Sequence, residues 1–144
     1  MNSEAPADCR RPPPPGFTPV PSSTAFGGLI GPFYEDLSVD EGVVRGFYVD
    51  GRHANSGGVL HGGMLMSFAD ILLGQAAWNA AGGPVVTMRM ISDFLAPARP
   101  GDWVRGEARL SGRQGRSLFI EGLITVRDRP ILSTEAIFQK IDRR

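Results

Sequence analysis

Apolar and polar residues form one long helical pattern with strand patterns before and after it. Residues 64–81 are rich in Met, Leu, Phe, Ala, Gln and Trp and contain no proline. This run is too long for a strand and predicts a helix of roughly five turns, which ends at Gly82-Gly83-Pro84. Runs of β-branched and aromatic residues predict strands, in chain order, at residues 43–50, 85–94, 102–110, 117–127 and 131–141.

The strand pattern is clearest in residues 103–110, where side chains alternate between two faces. One face carries Val104, Gly106, Ala108 and Leu110, and the other carries Trp103, Arg105, Glu107 and Arg109. Residues 97–101 and 112–115 have the composition of turns. Because short turns between successive strands favour antiparallel pairing, the sequence predicts an α+β fold with one long helix packed on an antiparallel sheet.

Proline sets the first part of the chain apart. Eight of the twelve prolines lie within the first 32 residues, including a run of four at positions 12–15. Proline fixes φ and lacks an N–H donor, so we expect residues 1–24 to form an extended or disordered arm that cannot join a sheet or a helix interior. Residues 26–34 carry apolar side chains, and we expect them to dock on a domain that spans residues 25–144.

The composition indicates one globular domain without a strongly charged surface. The 144 residues suit a single domain, and fifteen basic and fifteen acidic residues balance, so nucleic acid and anionic membranes are not indicated as partners. Cys9 is the single cysteine and cannot form an internal disulfide. Without a recognisable targeting or membrane-spanning segment, we expect a cytoplasmic location. Gly27, Gly28 and Gly31 lack the strand and helix that frame a dinucleotide loop, and we expect no cofactor.

One acidic side chain lies within the predicted helix. Asp70 is the sole charged residue between His53 and Met88. The helix is apolar on nearly every face, which predicts that protein surrounds it and that a carboxylate there is costly to desolvate. Asp70 therefore caps a backbone group, pairs with an arginine or takes part in chemistry, and its position alone does not distinguish these roles.

The loop before the helix is rich in glycine. Asn55-Ser56-Gly57-Gly58-Val59-Leu60-His61-Gly62-Gly63 leads directly into the helical pattern. Glycines at a helix start let a ligand approach the free backbone N–H groups, where the positive end of the helix dipole also lies. Such a site suits a carbonyl oxygen that becomes an oxyanion. Asp70 follows Gly63 by close to two helical turns, so both project from the same side of the helix.

The ordered set Asn55-x5-His61-Gly62-Gly63-x6-Asp70 resembles the signature of hotdog-fold acyl-CoA thioesterases of the phenylacetate-pathway (PaaI-like) type. The likeness extends to Gly82-Gly83-Pro84 and to two turns, residues 94–102 and 112–117. It covers roughly residues 26–141. The proline-rich arm lies outside it.

The resemblance implies a long helix wrapped by a curved antiparallel sheet, in a homodimer or a tetramer built as a dimer of dimers. It places the active sites at the subunit interface. The backbone N–H of Gly62 would polarise the thioester carbonyl, and Asp70 of the partner subunit would act as base or nucleophile. Asn55 would orient the carbonyl or the loop, His61 would support that loop, and Thr87 would help to hold the attacking water.

Other interpretations stay open for several of these residues. His61 is either a general base or, more simply, a structural part of the loop, and His53 reads as an ordinary loop residue. A metal site from His53, His61 and Asp70 lacks ligand spacing, so we expect no metal. Ser56 is not set in the Gly-x-Ser-x-Gly pattern of a nucleophile elbow. Gly63 is a further candidate for substrate binding at the helix start.

Three arginines in predicted turns are candidates for the phosphates of CoA. They are Arg99, Arg113 and Arg116, and each is equally well explained as a plain surface residue. The function that the sequence favours is hydrolysis of an aryl-acyl or medium-chain acyl-CoA to a carboxylate and free CoA. The alternative is a non-catalytic acyl-CoA-binding or regulatory hotdog domain, in which a buried base such as Asp70 would have no use.

Overall fold

The computed structural model describes residues 11–21 and 24–143. Its strands and α-helices are, in chain order, β1 (Phe17–Pro19), α1 (Ala25–Ile30), β2 (Tyr34–Asp36), β3 (Val43–Tyr48), α2 (Gly62–Ala81), β4 (Val85–Phe94), β5 (Trp103–Gln114), β6 (Ser117–Val126) and β7 (Arg129–Lys140). A short 3-10 turn, Gly51–His53, lies between β3 and α2. Among the described residues, no helix is long and apolar enough to cross a membrane.

The strands form one antiparallel sheet in the order β1-β2-β3-β5-β6-β7-β4. The predicted α+β class and the five predicted strands are confirmed. β5 runs further than predicted because the turn to β6 is tight. Gln114 already pairs with Ser117, and Gly115 takes the left-handed conformation, with a φ of 59°, that such a turn requires.

The long helix α2 packs against the sheet through one side. Phe68, Leu72 and Leu73 are fully buried there. Gly106 of β5 allows this close approach, because a Cβ at that position would meet the Leu72 side chain at 2.5 Å. The helix ends as predicted: Gly82 has a φ of 70° and donates its N–H to the Trp78 carbonyl.

The opposite side of α2 is open in the single chain. Trp78 is 42% exposed and Asn79 is also exposed, while Asp70 is half-buried. The expectation that protein surrounds the helix is therefore wrong for one chain alone. The sheet covers one side, and the described residues supply no second layer for the other.

The proline-rich arm is partly built into the sheet. Phe17–Pro19 pairs with β2, and the Phe17 ring lies 5.0 Å from the Trp103 ring, centroid to centroid. The expectation that residues 1–24 stay out of the sheet is wrong for this strand. A proline is tolerated there because β1 is an edge strand. Residues 1–10, 22 and 23 lie outside the described residues, and the division of the chain into arm and domain stays a prediction.

The segment at residues 26–34 docks on the body as expected. Phe33 is buried and stacks on Phe68, with ring centroids 5.6 Å apart. It also contacts Phe47 edge-on at 5.8 Å. These ring contacts fix α1 and β2 beside the first half of α2.

Candidate active site

The start of α2 is capped by the side chain of His61. Its Nδ1 accepts a hydrogen bond from the Gly63 N–H at 2.8 Å, so a neutral imidazole carries its proton on Nε2. α2 thus begins two residues before the predicted position, because His61 supplies the cap that Ser, Thr, Asp or Asn usually gives. The Gly63 N–H is occupied by this contact. The Gly62 N–H has no acceptor among the described residues.

Asn55 shapes the loop that leads to this helix start. Its Oδ1 accepts hydrogen bonds from the N–H groups of Gly57 at 2.9 Å and Val59 at 3.3 Å. Its own backbone N–H donates to the Val59 carbonyl at 2.8 Å. These bonds use the side-chain oxygen and the backbone of Asn55. The side-chain NH2 group makes no hydrogen bond with the described residues.

Asp70 lies in the middle of α2 and is half-buried. The Thr87 hydroxyl donates to Asp70 Oδ1 at 2.7 Å. The pairing of β4 with β7 shifts between Thr87 and Arg89, so the contact is next to a β-bulge, a device that re-aims side chains beside active sites. In the described part of the chain, Asp70 neither caps a backbone group nor pairs with an arginine. Thr87 orients one carboxylate oxygen and leaves the other open.

α2 and the edge strand β4 lie side by side, and the strip of surface along which they meet is called the groove below. Gly62, Met66 and Asp70 follow one another at intervals of four residues and lie on one side of α2. Gly62 lies beside Phe94 at one end of the groove, and Asp70 lies beside Thr87 towards the other. Eight residues of helix separate Gly62 from Asp70, which is about 12 Å. A single carbonyl group cannot contact both residues of one chain.

The three candidate arginines fall into two groups. The Ala98 carbonyl accepts the N–H of Leu60, which belongs to the loop before α2. Arg99, the next residue after Ala98, therefore lies near that loop. Arg113 donates to the Ala80 carbonyl at 3.3 Å, at the other end of α2. Arg116 forms an ion pair with Asp142 at 3.0 Å. Since α2 is about 30 Å long, one chain does not bring Arg113 to its own Gly62.

A polar cluster that the sequence interpretation missed supports the loop from behind; two of its members, Asp50 and His53, are buried and the third, Arg52, is 39% exposed. It consists of Asp50, Arg52 and His53. Arg52 donates to the carbonyls of Leu29 and Gly31, each at 2.6 Å. The Arg52 guanidinium also pairs with the Asp50 carboxylate at 2.9 Å. The cluster thus ties the end of α1 to the chain just before α2.

His53 is the centre of this cluster rather than an ordinary loop residue. Its side chain is buried, its Nε2 lies 2.7 Å from the Ile30 carbonyl, and its Nδ1 accepts the Asp50 N–H at 3.1 Å. The His53 carbonyl accepts the His61 N–H at 2.7 Å. Burial lowers the pKa of His53, because the charged form is poorly solvated there. The spacing of Asp50 and His53, a capping box, was the signal available in the sequence.

The described residues contain no group of three or more His, Cys, Asp or Glu side chains arranged to hold a metal ion. The polar groups that face the groove are instead a backbone N–H, a carboxylate and a hydroxyl. Such a set can stabilise an oxyanion and can accept and donate a proton.

Comparison with known proteins gives concordant matches. A family profile described as "Thioesterase superfamily" matches residues 57–132. A Pseudomonas aeruginosa protein named "Putative esterase PA0474" is 32% identical over 127 residues, which cover 87% of this chain and 95% of that protein.

Solved structures of similar fold include the conserved protein PA5202 of Pseudomonas aeruginosa, with a TM-score of 0.72 and 25% identity over 82% of this chain and 94% of that one. The PaaI protein of the E. coli phenylacetic acid degradation operon has a TM-score of 0.71 and 23% identity, covering 79% and 86%. A Streptococcus pneumoniae thioesterase described with coenzyme A has a TM-score of 0.71 and 18% identity, covering 78% and 90%.

Proposed function

The chain belongs to the thioesterase superfamily, and on that premise we propose that it hydrolyses an acyl-CoA to a carboxylate and free CoA. Thioester hydrolase activity follows from the family, and the resemblance to PaaI-like hotdog thioesterases is confirmed. The CoA part of the proposal is supported by the structural likeness to the thioesterase described with coenzyme A. We propose an aryl-acyl or medium-chain acyl group, which suits the apolar side chains of Met66, Met90 and Phe94 along the groove.

The observation that carries the proposal is the Gly62 N–H at the start of α2, which has no acceptor among the described residues. Its neighbour, Gly63, already donates to His61. A thioester oxygen that accepts the Gly62 N–H lies at the positive end of the helix dipole. This contact strengthens as the carbonyl becomes an oxyanion, so it favours the transition state over the bound substrate. His61 and Asn55 act in this proposal by holding the loop, and the Asn55 NH2 group, which makes no hydrogen bond with the described residues, orients the carbonyl.

Asp70 supplies the other half of the reaction. As a base, it accepts a proton from a water molecule, whose oxygen bonds to the carbonyl carbon; the carbon–sulfur bond then breaks and the CoA thiolate takes up that proton. As a nucleophile, the carboxylate attacks the carbonyl carbon, the carbon–sulfur bond breaks, and CoA leaves as the thiolate. Water then hydrolyses the resulting mixed anhydride, which frees the product carboxylate and Asp70, and one of the protons released goes to the thiolate. In both routes Thr87 fixes one oxygen of Asp70 and leaves the other for chemistry.

The 12 Å gap within one chain indicates a site that two subunits share. β4 is an edge strand, and we propose that it pairs antiparallel with β4 of a second copy. If Ile91 stands opposite its own copy, then the bulge after Thr87 places Phe94 opposite Thr87 of the partner subunit. Gly62 then faces Asp70 of the partner subunit. Because the two helices run in opposite directions in this arrangement, Arg113 and Arg116 of the partner subunit approach Arg99, and these arginines are our candidates for the CoA phosphates.

A pair of variants at position 62 tests the carbonyl contact. Gly62→Pro removes the N–H donor, yet proline suits the first position of a helix, and the preceding His61 already has an extended ψ of 132°. Gly62→Ala adds the same Cβ and keeps the N–H. We expect Gly62→Pro to lower kcat on the order of 10²–10³-fold, the usual effect of losing an oxyanion donor, whereas Gly62→Ala stays much closer to wild type.

The assay is thiol release from a panel of acyl-CoA substrates, with the thermal midpoint as the folding control. A folded Gly62→Pro protein that turns over like Gly62→Ala would contradict the proposal. Tight binding of acyl-CoA without turnover in the wild-type chain would instead support the alternative, a non-catalytic acyl-CoA-binding domain.

A further inference from the structure

We infer that Phe94 determines acyl specificity by restricting substitution at the carbon next to the thioester carbonyl. This inference rests on the proposed function. Phe94 is the last residue of β4 and pairs with Leu132, which is fully buried in the core. Opposed residues point to the same face of a sheet, so the Phe94 side chain lies on the helix-facing side. It is nevertheless 56% exposed in the single chain.

The Phe94 ring lies against the helix start that would bind the carbonyl. A Cβ built on Gly62 would stand 3.4 Å from Phe94 Cε1 and 3.7 Å from Cζ, and both of its nearest neighbours belong to this ring. An oxygen that accepts the Gly62 N–H stands roughly 3 Å from the same residue's nitrogen. In the proposed binding mode, the carbonyl group and the carbon attached to it therefore lie at the helix start that the ring lines.

The position of the Phe94 ring is set by its backbone, so the ring can leave the helix start only by rotation of the side chain. Its backbone is fixed by pairing with β7, and the next residue, Leu95, donates its N–H to the Ile131 carbonyl at 2.9 Å. On the other side, Gly62 is held by the helix cap. A straight acyl chain presents only hydrogens to the ring at its first carbon. A methyl branch at that carbon takes up space beside the ring, so the ring has to rotate away from Gly62 or the carbonyl has to shift from the N–H.

The test compares butyryl-CoA with its α-branched isomer, isobutyryl-CoA. For the wild type we expect a clear preference for butyryl-CoA in kcat/KM. Phe94→Ala opens the wall, and the ratio of isobutyryl-CoA to butyryl-CoA rises by about tenfold or more, the scale on which one methyl group is discriminated in an apolar pocket. Phe94→Leu, which keeps an apolar side chain, gives an intermediate ratio. Leu95→Ala is the matched control, since Leu95 is 55% exposed and adjacent in sequence, and it leaves the ratio unchanged.

A binding measurement separates this inference from the proposed hydrolysis. The affinities are measured for 2-oxoalkyl-CoA analogues with straight and branched chains. These analogues keep a carbonyl but are not hydrolysed, whereas the simpler thioethers S-butyl-CoA and S-isobutyl-CoA lack the carbonyl. If wild type binds the straight analogue better and Phe94→Ala loses that preference, the inference stands even where turnover is absent. An unchanged ratio in folded Phe94→Ala, an equal change in Leu95→Ala, or failure to bind either analogue would overturn it.

Discussion

The two edges of the sheet are built in opposite ways. The β1 edge has three residues, ends in Pro19, and packs its Phe17 ring on Trp103. The β4 edge has ten residues and exposes Val86, Met88, Ile91 and Phe94, each by 40% or more. Natural sheets usually shorten, cover or charge their edges because unpaired strands attract other chains. This chain protects one edge in that way and leaves the other long and apolar.

The difference matters because the candidate site lies on the open edge. Thr87 and Phe94 belong to β4, and they contact Asp70 and Gly62 of α2, respectively. A second copy that pairs with this edge would cover apolar surface and complete the site at the same time. Assembly and catalysis are therefore expected to fail together when β4 is altered, and to survive when β1 is altered.

The largest expected effect, on both assembly and activity, comes from a carboxylate placed on the β4 edge. A carboxylate placed on the β1 edge is its control. Ile91→Asp sets a negative charge opposite Glu135 on β7 and, in the proposed dimer, opposite its own copy. Thr18→Asp likewise faces a glutamate, Glu35 on β2, and so is a matched control. Like charges directly opposed on neighbouring strands destabilise pairing.

We expect Ile91→Asp to give a monomer with activity lower by at least about 10²-fold, because a split site loses its base. Thr18→Asp should keep both assembly and activity. Sedimentation and thiol release on the same preparations measure this. If both variants stay dimeric and active, or both dissociate, the contrast between the edges is wrong.

A smaller effect, on stability, is expected from the cluster of Asp50, Arg52 and His53, which ties the end of α1 to the chain just before α2. The pKa of His53 lies below its ordinary value of 6.5 in the folded protein. Below pH 6.5 the unfolded chain therefore takes up a proton that the folded chain does not, and stability falls as the pH falls towards the folded pKa. One such group contributes at most about 1.4 kcal/mol for each pH unit.

Urea unfolding between pH 7.5 and pH 5.5 checks this expectation. His53→Gln keeps hydrogen-bonding capacity but does not titrate, so its stability should fall less over this range than that of the wild type. Parallel curves for the two proteins would show that His53 is not the group responsible.

Local sequence patterns predicted the elements but not the long-range contacts. β4 spans the predicted residues, and Gly82 ends α2 as expected, because periodicity and a left-handed cap are local features. The strand at Phe17–Pro19 was missed since its stability comes from Trp103, far along the chain. The capping box of Asp50 and His53 is local and was overlooked, whereas the contacts of Arg52 and His53 with residues 29–31 are long-range.

In the candidate site, too, local features were predicted and long-range contacts were not. The run from Asn55 to Asp70 was visible as a motif. The contact of Thr87 with Asp70 was not predicted, and the role in holding water that the resemblance implies for Thr87 stays a prediction. Phe94 was predicted only as the last residue of a strand and the first of a turn, because nothing local indicates that its ring lies beside Gly62. The separation of Arg99 from Arg113 likewise depends on the direction of α2 relative to the sheet.

The most direct test of a shared site mixes two inactive chains. Asp70→Asn lacks the base or nucleophile, and Gly62→Pro lacks the carbonyl donor, so each homodimer should be inactive. When equal amounts are refolded together, half of the dimers are mixed, and each mixed dimer holds one site with both groups intact. The account predicts recovery of roughly a quarter of wild-type activity, as random pairing in a two-fold dimer requires. A mixture that forms mixed dimers and stays inactive would contradict it.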